Sequence, residues 1–277
     1  MSIKLALLNI PAQRRYIVKA ASRLILLNQV NESHEEATVT CFFASKDQEQ
    51  LYFRLALEKI DQLTNTEEYN WEAQLSAAFE TVELQTDLTG NILQITNKEQ
   101  ILDRWRQQRK IWQAKHRSSA LPAEQLLQAE TMLSVENGLE TYLQHSSLYA
   151  ILFPGLYGHY ELHQSWQQEK SIPRFLSEYS LPFVTQCSLT PTTEYDILRQ
   201  LNVVGVLDET KLAQKPFAKW LKNAVDTYDL RVKVTAELQE EYDFERDGWL
   251  THAEQFVVAE AAGCYSHTVA RTLEELK

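Results

Sequence analysis

Between Arg231 and Val258 the chain reads Arg231-Val-Lys-Val-Thr-Ala-Glu-Leu-Gln-Glu240-Glu-Tyr-Asp-Phe244-Glu-Arg-Asp247-Gly248-Trp-Leu250-Thr-His-Ala-Glu254-Gln-Phe-Val-Val258. Val232, Val234, Ala236, Leu238, Tyr242 and Phe244 alternate with Arg231, Lys233, Thr235, Glu237, Gln239, Glu241 and Asp243, and only Glu240 breaks the apolar row. Successive side chains of a strand point to opposite faces, so this is a strand with one buried face. Asp247-Gly248 supplies the turn that sends the chain back along Trp249 to Val258.

The residues Asp243 to Glu254 also resemble an EF-hand calcium loop. They place oxygen donors at the first, third and fifth positions, glycine at the sixth, an apolar residue at the eighth and glutamate at the twelfth. Glu245 stands where the pattern prefers Asp or Asn. An EF-hand loop must follow a helix, whereas a period-two strand precedes this one. The hairpin is the expected reading.

The same signals extend outward. Tyr16, Val18, Ala20, Ser22, Leu24 and Leu26 keep a two-residue period, as do Leu51, Phe53, Leu55 and Leu57, and Ala37 to Ala44 is dense in Thr, Val and Phe. Val82 to Ile95 reads as a hairpin in which Asp87 opens the turn and Gly90 supplies the positive φ. Asn97, with Gln100 three residues on, reads as the cap of a helix whose apolar face carries Ile101, Trp105 and Trp112. A second helix is expected from Leu121-Pro122, carrying Leu126, Leu127, Met132 and Leu133. After Asn137-Gly138, a last turn or two carries Leu139, Tyr142 and Leu143. Strands are expected at His159 to His163, Phe183 to Leu189 and Tyr195 to Val206, and a helix from Asp208 through about Val225. The run Val269 to Leu273 is a strand or a terminal helix.

The expected class is therefore α+β: antiparallel, curved sheets with helices packed on one side, and a weakly duplicated strands-hairpin-helix unit. The boundary falls between an N-terminal β-rich unit, 1–120, that ends in a helix and a C-terminal α+β unit, 121–277, unless the two form one continuous domain.

With 277 residues, 44% hydrophobic and 10% aromatic, the chain can bury a core, which excludes disorder as a whole-chain state. Seven glycines are few, which disfavours the nucleotide-binding superfolds with their glycine-rich phosphate loops. A formal charge of −11 disfavours nucleic acid and anionic membrane surfaces as partners. Arg104, Arg106, Arg109, Lys110, Lys115, His116 and Arg117 are expected to be the solvated face of the first helix rather than a binding stripe. Cys41, Cys187 and Cys264 form no CxxC pair and read as reduced core thiols. The N-terminal apolar patch is too short for a signal peptide and no stretch is long enough to span a bilayer, so a cytoplasmic location is expected.

Two constellations could carry chemistry. His159, Glu161 and His163 share one face of a strand, and two imidazoles with one carboxylate suit a divalent metal. All three could reach one ion only if the strand bends. Phe153, Tyr157 and Tyr160, around Pro154-Gly155, form an aromatic patch suited to a ligand or a partner. The sequence has no GxSxG, P-loop, GxGxxG or HExxH motif, so no residue earns a catalytic role and no cofactor is required. The leading expectation is a non-enzymatic, protein-binding or self-associating accessory module. The alternatives are a curved-sheet protein that binds an apolar small molecule or lipid, and a metal-dependent hydrolase using the His-x-Glu-x-His strand.

Overall fold

The computed structural model describes residues 2–8, 10–64, 77–115, 130–131, 133–161, 164–191 and 199–277. The first wing contains β1 (Ser2–Leu5), β2 (Ala12–Leu26), β3 (Gln29–Lys46), β4 (Gln50–Thr64), β5 (Thr81–Asp87), β6 (Ile92–Ile95) and α1 (Lys98–Lys115). Two short helices, α2 (Gly138–His145) and α3 (Ser147–Leu152), lead to β7 (Gly158–Glu161). The second wing comprises β8 (Ser165–Leu176), β9 (Tyr179–Pro191), β10 (Arg199–Leu207), α4 (Gln214–Ala224), β11 (Val234–Phe244), β12 (Leu250–Ala261) and β13 (Tyr265–Glu275).

Eleven strands form one antiparallel sheet in the order β6-β5-β4-β3-β2-β13-β12-β11-β10-β9-β8, and β1 pairs separately with β7. The fold is α+β, dominated by one large open sheet. Its two wings are joined where β2 pairs with β13 along Tyr16 to Leu26, so the sheet runs through both units expected from the sequence.

Period-two patterning builds the inner face. Val18, Ala37, Leu189, Leu201, Tyr242, Ala253 and Leu273 lie opposite one another across seven successive strands, and each is at most 1% exposed. Burying one such side chain is worth about 1.5–3 kcal/mol, so this row is a main source of cohesion. Aromatic rings thicken the core beside it: Phe53 packs against Phe43 and edge-on against Phe153.

The sheet is strongly curled. Neighbouring strands are about 4.7–4.9 Å apart, so on a flat sheet β8 would lie about 24 Å from β13. Yet the Tyr265 hydroxyl donates to the Phe175 carbonyl at 3.0 Å, and His267 Nδ1 lies 2.8 Å from the same oxygen. The edge strand β8 therefore folds back over the inner face. On the same face, Phe217 of α4 packs between Tyr179 and Tyr265, and α3 touches β12 and β13.

The hairpin reading of the β11–β12 turn holds. Gly248 sits at φ +86, and a Cβ there would collide with the backbone of Ala6 and Leu7. The acids of the calcium-like loop face Arg14, which donates to Glu245 at 2.9 Å and to Asp247 at 2.8 Å.

Several expectations need correction. The helix expected from Asp208 begins at Gln214, because the Asp208 carboxylate is taken by the backbone and hydroxyl of Thr210 in a local turn. Of the two alternatives for Val269 to Leu273, the strand holds: they lie in β13. Strand β8 has no counterpart in the sequence reading, because Gln168 and Lys170 stand on its inward face where an apolar residue was sought. Asn97 precedes α1 as expected, but its side chain serves β5, accepting from the Glu83 amide and donating to the Thr81 carbonyl. Most of the helix expected from Leu121, with His116, Arg117, Met132 and the side chains of Trp112 and Lys115, lies outside the described residues.

Candidate functional site

The row beside the sealed one has a different composition. Two residues along each strand, Gln62, Glu35, Ala20, Arg271, Gln255, Glu240, Val203, Cys187 and Trp166 lie opposite one another from β4 to β8. Ionic and amide side chains thus occupy an inner face beside the apolar row.

Because the sheet curls, the part of this row from Gln62 to Glu240 becomes the floor of a cavity of about 700 Å³, while Val203 and Cys187 are buried. Strands β2, β3, β4, β8, β11, β12 and β13 line it, and so do α2, α3 and the Phe153-Pro154-Gly155 loop. The volume lies in the usual range for small-molecule sites, about 300–1,000 Å³. Its wall is mixed: Phe153, Ile172, Phe175, Val257 and Val269 are apolar, whereas the floor carries Glu35, Glu240, Gln255 and Arg271.

Each floor group has a definite environment. Glu240 is 7% exposed, and both of its oxygens accept from Lys170 Nζ, at 2.6 and 2.7 Å. Three strand spacings separate β8 from β11 on a flat sheet, so this ion pair exists only because β8 folds over. Gln255 donates to the Tyr242 hydroxyl at 2.8 Å and accepts from Arg271 Nη1 at 3.1 Å. Burial drives the Tyr242 phenol far above its usual range. Glu35 accepts from the Gln62 amide at 2.8 Å. Burial also lowers the Arg271 guanidinium from its ordinary value.

His267 is locked between two partners. A carbonyl can only accept, so Nδ1 carries the proton donated to Phe175, and Nε2 takes the Ser22 hydroxyl at 3.2 Å. Burial lowers its pKa, as it does for His145 on the cavity's α2 wall, where the Arg271 charge lowers it further.

The residues singled out in the sequence are placed as follows. Phe153 and Tyr157 are buried and Tyr160 is half-buried, stacked on Trp166 with ring centroids 4.3 Å apart. Of the three, Phe153 reaches the cavity, together with Pro154 and Gly155. His159 and Glu161 share the exposed face of β7, opposite Lys4 and Ser2 of β1, while His163 lies outside the described residues. Among the described residues, no group of three or more His, Cys, Asp or Glu side chains comes together as a metal centre. Arg104 of the basic stripe is half-buried rather than free in solvent, and it donates to the carbonyls of Ala78 and Thr81. The cysteines are free, and burial pushes the Cys41 thiol up to about 12, far from the thiolate a nucleophile needs. No described helix is long and apolar enough to cross a membrane.

The sequence reading missed Lys170, Gln255 and Arg271. One signal was available: Glu240, the single charged residue in the apolar row of β11, marks where the floor turns polar.

No protein-family model matches the chain, and no curated protein matches it in sequence. Among solved structures, one described as "Lipid-protein interactions in lipovitellin" is similar in fold over 96% of this chain and 25% of that chain. The TM-score is 0.51 and the identity 11%. This chain thus spans about a quarter of the length of the protein it matches, and the likeness is one of fold.

Proposed function

We propose that the chain is a non-enzymatic binding protein that holds one small amphipathic molecule in the cavity of its curled sheet. The observation that carries the reading is the cavity itself, of ligand size, whose lining mixes apolar side chains such as Phe153, Ile172, Val257 and Val269 with polar and charged ones. Such a surface fits a molecule with one apolar and one polar end, as a lipid has, better than the apolar small molecule that the sequence offered beside it as an alternative. The likeness of fold to a structure described by its lipid–protein interactions supports this reading.

The test is native mass spectrometry of the untagged protein, followed by titration with an environment-sensitive fluorescent amphiphile. One bound organic molecule per 32.1 kDa chain, or saturable 1:1 probe binding, is the expected result. Ala20→Trp, which places an indole on the cavity floor, should abolish binding while leaving the circular dichroism unchanged. Absence of saturable binding, or binding unaffected by Ala20→Trp, would overturn the reading.

Self-association is the second reading. Val204 and Val206 on the outer face of β10 are 54% and 69% exposed, and Val206 lies opposite Val184 of β9. A light-scattering mass that is a multiple of 32.1 kDa and falls to one chain in Val204→Thr/Val206→Thr would favour it.

A further inference from the structure

The charges on the cavity floor, Glu35 and Glu240 against Lys170 and Arg271, are not all paired by contact, although both acids lie close enough to act on Arg271. Glu240 is fully engaged, with both oxygens on Lys170 Nζ. Glu35 is held by the Gln62 amide. Arg271, between them in the row, meets only a neutral acceptor, the Gln255 side-chain oxygen, through Nη1. Its Nε is buried and has no acceptor among the described residues. Among those residues, no carboxylate lies within ion-pair distance of the guanidinium.

A guanidinium withdrawn from water without a carboxylate is costly, and an unused buried donor adds to that cost. Histidines do not relieve it: His267 spends both ring nitrogens on Phe175 and Ser22. With Nη1 engaged by Gln255 and Nε buried, Nη2 is the guanidinium nitrogen left for a second partner in the cavity that Arg271 lines. Its N–H donors belong to a fixed cationic plane and favour the oxygen of an acid, with charge assistance that a neutral hydroxyl or amide lacks. Val257 and Val269, on the next residues along the same strands and face, would meet the apolar part of such a molecule.

We propose that Arg271 is the anchor for an oxyanionic head group, so that the ligands are amphiphiles ending in an acid rather than neutral apolar molecules. This rests on the cavity reading above and specifies it. The chemistry it names is a singly capped oxyanion, carried either by a carboxylate or by a phosphate monoester.

Three fluorescent probes with the same apolar chain test it in wild-type protein: one ends in a carboxylate, one in a phosphate and one in an alcohol. Acid binding tighter than alcohol binding by about tenfold or more is expected, because hydrogen bonds to charged groups are among the stronger ones. Whichever acid binds more tightly identifies the source of the oxyanion. Arg271→Gln should remove the preference for acid over alcohol, and Arg271→Lys, which keeps the charge but loses the planar guanidinium, should restore part of it. Equal affinities for acid and alcohol in the wild type would overturn the assignment and leave the cavity reading intact. If no probe saturates and Ala20→Trp changes nothing, both fall. The wild-type comparison needs no variant to fold, so it decides the question alone.

Discussion

Two rows of side chains cross the same seven strands, β3, β2, β13, β12, β11, β10 and β9, on the same face of the sheet and only two residues apart. One, from Ala37 through Leu273 and Tyr242 to Leu189, is apolar apart from one phenol and sealed. The other, from Glu35 through Arg271, Gln255 and Glu240 to Cys187, carries an acid, a guanidinium, an amide and a second acid. A period of two decides only which face a residue occupies. What that face meets is decided by the curl of the sheet, which presses one row into the core and lifts a cavity over its neighbour. The sealed row and the cavity floor are thus separated by about 7 Å along each strand.

The contrast breaks first in the sealed row. Leu273→Ala should cost about 2–5 kcal/mol in urea unfolding, because Leu273 is fully buried between Val18 and Ala253 and the cavity left cannot collapse against a continuous sheet. A cost under about 1 kcal/mol would mean that the row is less tightly packed than its burial implies. Next comes the ion pair that holds β8 over the floor. Lys170→Met leaves the Glu240 carboxylate buried without its cation and should cost about 2–3 kcal/mol. Lys170→Met/Glu240→Leu should recover most of that loss in thermal unfolding, since two well-packed apolar side chains can replace a buried pair. If the double variant is no better than the single one, the pair holds β8 in place for reasons beyond its own charges.

These elements also show what was legible in the sequence. The β11–β12 hairpin was, because one face of β11 is buried along its length and the other solvated, and because the Asp247-Gly248 turn demands its glycine. The class of the fold followed from many such local patterns. Strand β8 was not legible, because it is an edge strand whose inward face carries Gln168 and Lys170. Nor was the site. Glu240, Gln255 and Arg271 are 15 and 16 residues apart in the chain and meet only through the register of three strands, and Lys170 joins them only through the curl. The His159–Glu161 pair has the opposite history: it shares a strand face, as alternation requires, but that face is exposed and no other described metal ligand comes to it.

Acid sharpens the comparison further. His267 has a pKa lowered by burial, so it is neutral in the fold, while in the unfolded chain it titrates near the ordinary 6.5. The unfolded state therefore binds the extra proton more readily. The stability that depends on the neutral ring is complete above about pH 6.5 and is lost as pH falls below it. Melting temperatures should decline from pH 7 toward pH 5, and His267→Gln should flatten part of that decline. His145, also lowered by burial, accounts for a further part. An unchanged slope in His267→Gln would mean that the ring stays hydrated in solution.

The smallest expected effect on stability falls on the most conspicuous charge. Arg271→Leu removes a guanidinium that makes no direct ion pair among the described residues, together with its unused Nε donor. It leaves the Gln255 oxygen to be served by water on the cavity floor. The two changes oppose each other, and the ligand-free protein should shift by less than about 1 kcal/mol in either direction, against several for Leu273→Ala two residues away. A residue on a fully paired sheet whose removal costs so little is held there by something other than folding. In ligand-saturated protein the same substitution should lower the melting temperature, because an oxyanion bound to the guanidinium stabilises the native state by mass action and that increment disappears with the anchor. If Arg271→Leu instead destabilises the ligand-free protein as much as Leu273→Ala does, the polar row is structural in the same sense as its neighbour, and the division of labour between them fails.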